Sequence, residues 1–261
     1  MTQAAIGVFD SGVGGLSVLR ALRARLPSET FIYVADSGHA PYGDRSEDFV
    51  QARTQAVAGF LAQRGVKAMV IACNTASVVG AARLRSAHAL PIVAMEPAIK
   101  PAARRTRSKV VLVLATTRTL RSPAVARLCA AHGEGVRFLL QPCPGLADQV
   151  ERGEFGSAAT RQLLQRYVWP AVDEGADTLV LGCTHYAFLA AEIAAIAGPS
   201  VTLIEPSDAV ARRLAAVLPG AAQPPRPGAG RSSFHTSGSK AAMAAFLAAI
   251  GEPAEAVLDL A

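Results

Sequence analysis

The sequence predicts an α/β protein whose mainly parallel sheets are flanked by helices. Short apolar runs of strand type alternate with amphipathic stretches of helical type along the 261 residues. This alternation is typical of parallel sheets with helical crossovers. Hydrophobic residues make up 51% of the chain and aromatic residues only 5%, which suits a core built from Ala, Val and Leu. The predicted strands cover residues 5–9, 31–35, 68–72, 92–95, 110–114, 136–140, 178–182 and 201–204.

Helical patterns fill the segments between these runs. The first helix is predicted from four leucines that share one helical face, and Pro27 stops it. Further helix starts are predicted at Ser46, Ser122 and Ser207, where a serine precedes acidic residues or a proline. Gly65 is expected to end the helix that begins at Ser46. The four leucines are Leu16, Leu19, Leu22 and Leu26.

Most of the predicted strands lead into a polar or reactive residue. Open parallel sheets bind ligands at the carboxyl ends of their strands, beside the N-termini of the helices that follow. We therefore expect the functional site to gather at these strand ends. The residues concerned are Asp10, Asp36, Cys73, Glu96, Thr116, Cys183 and Glu205.

The chain is long enough for two domains, each with its own core. A boundary is predicted after Pro97. Residues 98–206 would then form the second α/β domain, and residues 1–97 with 207–261 would form the first. The stretch 220–231 is rich in Pro and Gly and predicts a loop.

The composition argues against several classes of protein. The net charge of +6 comes mainly from scattered arginines, so no nucleic-acid partner is expected. No apolar run reaches about 18 residues, so no membrane span is expected. An export signal is not evident at the start, which predicts a cytoplasmic protein with free thiols. No C-x-x-C is present, which argues against zinc, and Cys129 and Cys143 are expected to be structural.

Two segments of the chain share one sequence pattern. Residues 68–77 and 178–187 each run from an apolar strand through a small residue to a cysteine, Cys73 or Cys183, and then to polar groups that could open a helix. Full ionisation of a thiol at neutral pH needs roughly 2 kcal/mol, and a helix N-terminus supplies about 0.3–1 kcal/mol, or up to about 2. His185 could add charge or move a proton. Either cysteine alone would be read as a buried strand residue, but the matched pair predicts a thiol on each side of one substrate atom.

The first strand leads into a glycine-rich turn. Gly12 and Gly14 fit G-x-G, but Ser17 stands where a dinucleotide fingerprint requires its last glycine, so that site is not predicted. The alternative is a tight turn whose N–H groups, with Ser11, hold a small anion. Asp10 would then either cap this turn or act as an acid/base group near a substrate, and both alternatives stay open.

Two further candidates are weaker when read from the residues alone. The loop at 35–46 is either a surface turn or the mouth of a pocket, lined by the backbone of residues 41–43 and by the Tyr42 hydroxyl. Glu151 would most often be a solvated helix residue.

Five motifs nevertheless match one family. They are D-S-G-V-G-G-L-S at 10–17, P-Y-G-D-R-S at 41–46, A-C-N-T-A-S at 72–77, E-P-A-I-K-P-A at 96–102 and G-C-T-H-Y at 182–186. Together they resemble glutamate racemase, the cofactor-independent branch of the aspartate/glutamate racemase superfamily. The similarity runs in order over about residues 5–210. The last fifty residues match only loosely, through F-H-T-S-G at 234–238.

The resemblance implies two pseudo-symmetric α/β domains with the active site in the cleft between them. It implies Cys73 and Cys183 as the catalytic pair, assisted by Asp10, His185 and Glu151, with no cofactor and no metal. The substrate-binding residues that it implies are Asp10, Ser11, Pro41, Tyr42, Gly43, Asn74, Thr75, Thr116, Thr184 and His185. The chain departs from the family pattern at Ala115, Ala187 and Glu205, which leaves the fine shape of the pocket open.

The activity that the resemblance implies is interconversion of L- and D-glutamate, which would supply D-glutamate for peptidoglycan precursors and so serve cell-wall biogenesis and cell shape. The expected partner is the small molecule glutamate, and a homodimer is left open beside a monomer. The nearest alternative is the same chemistry on aspartate, on another amino acid or on a hydantoin. Two further alternatives are a one-cysteine hydrolase or transferase and a non-enzymatic protein that binds a small acid.

Overall fold

A computed structural model describes residues 4–218, 230–252 and 256–260. The chain divides into two units, Met1–Met95 with Ser207–Ala261, and Glu96–Pro206. The loop predicted at 220–231 lies outside the described residues except for its last two positions. No helix in the described part of the chain is long and apolar enough to cross a membrane.

The strands of the described chain are β1 (Ile6–Asp10), β2 (Phe31–Ala35), β3 (Ala68–Ile71), β4 (Ile92–Ala94), β5 (Val110–Ala115), β6 (Arg137–Pro142), β7 (Thr178–Leu181), β8 (Thr202–Ile204), β9 (Ser232–Thr236) and β10 (Val257–Asp259). Its α-helices are α1 (Leu16–Arg25), α2 (Glu47–Gln63), α3 (Asn74–Ala87), α4 (Ile99–Arg105), α5 (Thr117–Leu120), α6 (Pro123–His132), α7 (Leu146–Glu151), α8 (Ala158–Asp173), α9 (Ala190–Ala197), α10 (Ser207–Val217) and α11 (Lys240–Ala249). Short 3-10 helices cover Ser37–His39, Tyr42–Asp44 and Thr184–Leu189.

The sheets of both units are parallel, and they share one strand order. The first unit carries a six-stranded sheet in the order β10-β9-β2-β1-β3-β4. The second unit carries a four-stranded sheet in the order β6-β5-β7-β8. The order β2-β1-β3-β4 is thus repeated by β6-β5-β7-β8. The predicted α/β class with parallel sheets and flanking helices is confirmed.

The central strands form the core because they are apolar on both faces. All residues of β1 and β3 are buried, and so are all residues of β7. Such strands need helices on both faces of the sheet, and the helical crossovers supply them. The predicted helix starts at Ser46 and Ser122 are confirmed, since each serine side chain caps its helix by accepting an N–H bond, from Phe49 and Val125.

Two strands of the first sheet were not predicted. β9 and β10 extend the sheet beyond β2, and their sequences are too polar to show an apolar run, since β9 reads S-S-F-H-T. Only the last residues of β9 are buried, and β10 lies at the edge with exposed positions. Strands of this kind are set by pairing with a neighbour that is already in place, a signal that the local sequence does not carry.

Candidate active site

Several of the predicted site residues lie at the carboxyl ends of two neighbouring strands in each sheet. In the first unit, β1 ends at Asp10 and Cys73 follows β3. In the second unit, Thr116 follows β5 and Cys183 follows β7. In each sheet the chain moves from the first of these strands to one side and later returns to the other side. This makes a topological switch point, the place where open α/β sheets bind ligands.

Cys73 lies at the start of a full α-helix. It is 4% exposed and is the N-cap of α3, where its sulfur accepts the backbone N–H of Ala76 at 3.4 Å. The thiol also lies 3.7 Å from the hydroxyl oxygen of Ser11. The helix dipole and the N–H group both favour negative charge on this sulfur, as the sequence predicts.

The glycine-rich turn between β1 and α1 is packed too tightly for a side chain at Gly15. Asp10 is fully buried and its carboxylate accepts the N–H of Gly12 at 2.8 Å, so it does cap the turn. The Tyr33 hydroxyl donates to the Gly12 carbonyl at 2.8 Å. A Cβ at Gly15 would lie 2.7 Å from Cβ of Asp10 and 3.0 Å from the Tyr33 hydroxyl. The turn is therefore tightly packed and includes Ser11, which contacts Cys73, while the capping contact leaves the acid/base role of Asp10 a prediction.

Asn74 carries a polar group that the described chain leaves unsatisfied. The residue is 2% exposed, and neither its amide nitrogen nor its amide oxygen finds a hydrogen-bond partner among the described residues. A buried amide without partners costs about 1–3 kcal/mol, and such groups in native proteins call for an explanation. A ligand that offers both an acceptor and a donor, as an amino-acid zwitterion does, would satisfy both ends of this side chain.

Cys183 is the first of three side chains that contact one another in series. Its sulfur lies 3.7 Å from Nδ1 of His185, and Nε2 of the same ring lies 2.6 Å from Oε1 of Glu151 at the end of α7. His185 is 3% exposed, and the side chain of Glu151 is 20% exposed. When the Nε2 proton is held by the carboxylate, Nδ1 is free to accept the thiol proton. The interpretation of Glu151 as a solvated helix residue is therefore wrong.

The surroundings of Cys183 differ from the prediction in one respect. The residues after it form the 3-10 helix Thr184–Leu189, and no capping bond to its sulfur occurs in the described structure. A 3-10 turn has poorer hydrogen-bond geometry than an α-helix and rarely extends far. Both cysteines are thus followed by a helix, but the helix after Cys183 is of the 3-10 type, and the sulfur of Cys183 lies beside His185 instead of accepting a capping N–H.

The loop at Pro41, Tyr42 and Gly43 is placed by its tyrosine. Tyr42 is 1% exposed and its hydroxyl donates to the carboxylate of Asp36 at 2.5 Å. The prediction that this hydroxyl lines a pocket mouth is therefore wrong, because the hydroxyl is buried and donates to Asp36. Asp36 was marked in the sequence only as a polar strand end, and nothing local shows that it binds Tyr42.

The remaining predicted residues sit as follows. Thr116 caps α5 by accepting the N–H of Thr119 at 3.3 Å, and its hydroxyl donates to that of Thr119 at 2.9 Å. Thr75 and Thr184 are buried. Ala115 is one of the positions where the chain departs from the family pattern. Its methyl group lies 2.9 Å from where a Cβ of Gly182 would be. Ala115 and Gly182 therefore fit together as a pair in this chain.

The other two cysteines lie outside this chemistry. Cys143 is buried after β6, and its thiol donates to the Gln141 carbonyl at 3.3 Å. Burial raises the pKa of both the Cys143 and the Cys129 thiols, which keeps them protonated and inert. No group of three or more His, Cys, Asp and Glu side chains within residues 4–218, 230–252 and 256–260 could hold a metal ion.

Comparisons with known proteins show the family to which the chain belongs. The family model described as Asp/Glu/Hydantoin racemase matches residues 15–214. A glutamate racemase of Methylococcus capsulatus is 53% identical over 209 residues, which cover 80% of this chain and 77% of the relative. Escherichia coli glutamate racemase, in a crystal structure with L-glutamate and the activator UDP-MurNAc-ala, matches with a TM-score of 0.86 and 30% identity over 99% of both chains. The Francisella tularensis glutamate racemase in complex with D-glutamate gives a TM-score of 0.85 at 26% identity, covering 100% of this chain and 98% of the other.

These matches define the class of the protein. The chain belongs to the Asp/Glu/Hydantoin racemase family. It is a racemase, and the resemblance to glutamate racemases that the five motifs predict is confirmed.

Proposed function

We propose that this racemase interconverts L- and D-glutamate without a cofactor, using Cys73 and Cys183 as a pair of acid/base groups. One observation carries the proposal: the same strand-end thiol recurs at the switch points of two sheets with the same strand order. The substrate is inferred from the glutamate racemases to which the chain is similar.

The chemistry of inversion explains why two thiols are needed. The α-proton must leave one face of the amino acid, and a proton must arrive on the other face. A single base would mostly return the proton to the face it came from. With two thiols, one acts as thiolate base while the other acts as thiol acid, and the roles exchange for the other enantiomer. The proposal requires each sulfur to face one side of the substrate Cα.

The side chains around the two thiols suit opposite protonation states. At Cys73 the N–H of Ala76 and the start of α3 stabilise a thiolate, and the Ser11 hydroxyl lies 3.7 Å from the sulfur. At Cys183 the imidazole of His185, oriented by Glu151, can take or return a proton. The first thiol is thus supported by fixed dipoles and the second by a titratable ring.

Charge must also be stabilised on the substrate, because the carbanion formed at Cα places negative charge on the α-carboxylate. The Asn74 amide, which has no partner in the described chain, is a donor for that carboxylate and an acceptor for the ammonium group. The hydroxyls of Thr75, Thr116 and Thr184, and backbone N–H groups, would supply further preorganised donors. Ser11 and the backbone of Tyr42 and Gly43 are left for the rest of the substrate.

The wider role follows from the product. D-glutamate would be used for peptidoglycan precursors, which places the enzyme in the cytoplasm and makes it necessary for cell-wall synthesis and cell shape. Glutamate is then the partner of the chain, with no nucleic acid or membrane involved.

The test is racemisation in heavy water. Product formed from either enantiomer should carry deuterium at Cα, and Cys73→Ala and Cys183→Ala should each abolish net racemisation, with Cys129→Ala as the matched control. Racemisation without solvent exchange, or full activity in Cys183→Ala, would refute the two-thiol scheme. Comparing turnover of both enantiomers of glutamate and of aspartate tests the substrate, and a preference for aspartate would replace glutamate in the proposal.

A further inference from the structure

A buried carboxylate lies under the 41–43 loop. Asp36 follows β2 and is fully buried. Its Oδ2 accepts the Tyr42 hydroxyl at 2.5 Å and Nε of Arg53 at 2.9 Å. Its Oδ1 accepts Nη2 of Arg53 at 2.8 Å and the Ser237 hydroxyl at 2.6 Å, and lies 3.0 Å from Nδ1 of His39. Both oxygens are therefore saturated by donors.

These donors come from segments far apart in the chain. Tyr42 belongs to the loop itself, and His39 ends the short 3-10 helix just before it. Arg53 lies in α2, and Ser237 lies in the turn between β9 and α11. Bidentate pairing with Arg fixes the plane of the carboxylate. The carboxylate in turn joins the loop to a helix on one side and to the C-terminal segment on the other.

The ionised state of this group is well supported. Burial by itself raises the pKa of Asp36, yet the Arg53 guanidinium and the hydroxyls of Ser237 and Tyr42 hold its pKa below the usual value of 3.8. Burial, and then the charge of Asp36, raise the pKa of Tyr42, so that its hydroxyl keeps its proton and stays a donor. The arrangement is thus a charged acceptor surrounded by fixed donors.

The C-terminal turn also meets the loop through its backbone. The N–H of Ser237 donates to the Ala35 carbonyl at 3.1 Å, and the N–H of Gly38 donates to the Ser237 hydroxyl at 3.1 Å. A Cβ at Gly38 would lie 2.5 Å from the Ser237 carbonyl oxygen. The two backbones are therefore in direct contact, and Ser237 sits where the loop begins.

We propose that Asp36 is a positioning residue that holds the 41–43 loop in its substrate-binding conformation, with Arg53 and Ser237 as its anchors. The inference rests on the proposed function, which assigns the backbone of Tyr42 and Gly43 to the substrate. It gives a task to Ser237 in F-H-T-S-G, the motif near the C-terminus that the two-thiol scheme leaves unused. Substrate affinity then depends on Ser237, which lies after both catalytic cysteines in the sequence.

The test separates positioning from folding by means of two serines in one turn. Ser237→Ala removes a donor to Asp36, whereas Ser239→Ala removes the N-cap of α11, whose side chain accepts the N–H of Ala242. Ser237→Ala should raise KM for both enantiomers roughly tenfold, the loss expected for one hydrogen bond to a charged group, with kcat within about threefold. Tyr42→Phe should act in the same direction. Ser239→Ala should lower the melting temperature and leave KM unchanged.

The outcomes are distinguishable. If wild-type protein does not turn over glutamate, the proposed function fails. If wild type is active but Ser237→Ala and Tyr42→Phe change only the melting temperature, the positioning role is wrong and Asp36 only stabilises the fold. Asp36→Ala leaves Arg53 without its carboxylate and can fail to fold, so the decision rests on the serine pair.

Discussion

Cys73 and Cys183 follow corresponding strands of two sheets with the same strand order, yet their surroundings are built differently. Cys73 caps a 14-residue α-helix and accepts a backbone N–H. Cys183 precedes a 3-10 turn and faces a histidine that is held by a glutamate. The cysteine at the strand end is repeated, but the groups that contact its sulfur are not. A fixed dipole works at every pH, whereas an imidazole can gain and lose charge.

The largest expected effect on activity comes from removing the imidazole of His185 beside Cys183. His185→Gln keeps a side chain of similar polarity but removes the proton carrier beside Cys183. Racemisation should fall by about 10²–10⁴-fold, the range typical of acid/base groups, mainly in kcat. Steady-state kinetics from both enantiomers measure this, with His132→Gln at the end of α6 as control. Unchanged kcat in His185→Gln would mean that His185 does not assist Cys183.

The next effect concerns Asn74, which begins the helix on the other side of the comparison. Asn74→Ala removes a buried amide that has no partner in the described chain, so the free protein should not lose stability. KM should rise about tenfold or more, because hydrogen bonds to charged groups contribute about 1.5–3 kcal/mol each.

Thr54→Val is the matched control for Asn74→Ala, because the Thr54 hydroxyl is likewise buried without a partner among the described residues. It should stabilise the fold and leave KM unchanged. Equal KM values in Asn74→Ala and wild type would remove Asn74 from the substrate site.

A smaller effect on kcat is expected from Glu151, which contacts His185 beside Cys183. Glu151→Gln removes the charge but leaves an oxygen that can accept the Nε2 proton of His185. We expect kcat to fall by roughly three- to tenfold, in line with about 1 kcal/mol for the change from a charged to a neutral hydrogen bond. Kinetics of Glu151→Gln beside Glu154→Gln, an exposed neighbour, give the answer. A loss as large as that of His185→Gln would show that the carboxylate is needed for more than orientation.

The smallest effect on activity comes from an aspartate that supports only the fold of the second unit. Asp177 accepts the Thr106 hydroxyl at 2.6 Å and the N–H groups of Arg107 and Ser108 at 2.7 and 2.8 Å. Burial alone would raise the pKa of Asp177, but these donors hold it well below 3.8. Because the pKa is lower in the folded state, the stabilisation is fully present above about pH 4. It is lost as the pH falls further.

Asp177→Asn should therefore destabilise the protein by about 2 kcal/mol at pH 7, and the difference from wild type should shrink below pH 4. Urea unfolding across this range measures it, with the exposed Asp173→Asn as control. Activity per folded molecule should stay constant, because Asp177 lies outside the proposed site. A constant difference at every pH would contradict the role of the charge.

Local sequence was sufficient for much of this structure but not for the contacts that place the site. The apolar runs predict the eight strands β1 to β8, and Ser46 and Ser122 mark helix starts, because those signals lie within a few residues of the element. The Glu151–His185 contact spans 34 residues and the Ser237–Asp36 contact spans 201. Such contacts depend on how strands pair, so Glu151 reads as solvated and Asp36 as an ordinary strand end. After Cys183 the sequence predicts a helix but not its type, since T-H-Y-A suits an α-helix and a 3-10 helix equally well.

The contact between Asp36 and Ser237 has a consequence for the order in which the chain is made. When residues 1–97 have left the ribosome, β2 still lacks its neighbour β9, and Asp36 still lacks one of its donors. The nascent first unit therefore exposes one edge of β2 while the whole second unit is being synthesised, and exposed edges invite wrong pairing. Only when residue 237 emerges does the edge close and the loop at Tyr42 gain its last anchor. If Asp36 positions this loop as proposed, competence to bind substrate is a late event in synthesis, although Tyr42 and Gly43 are translated early.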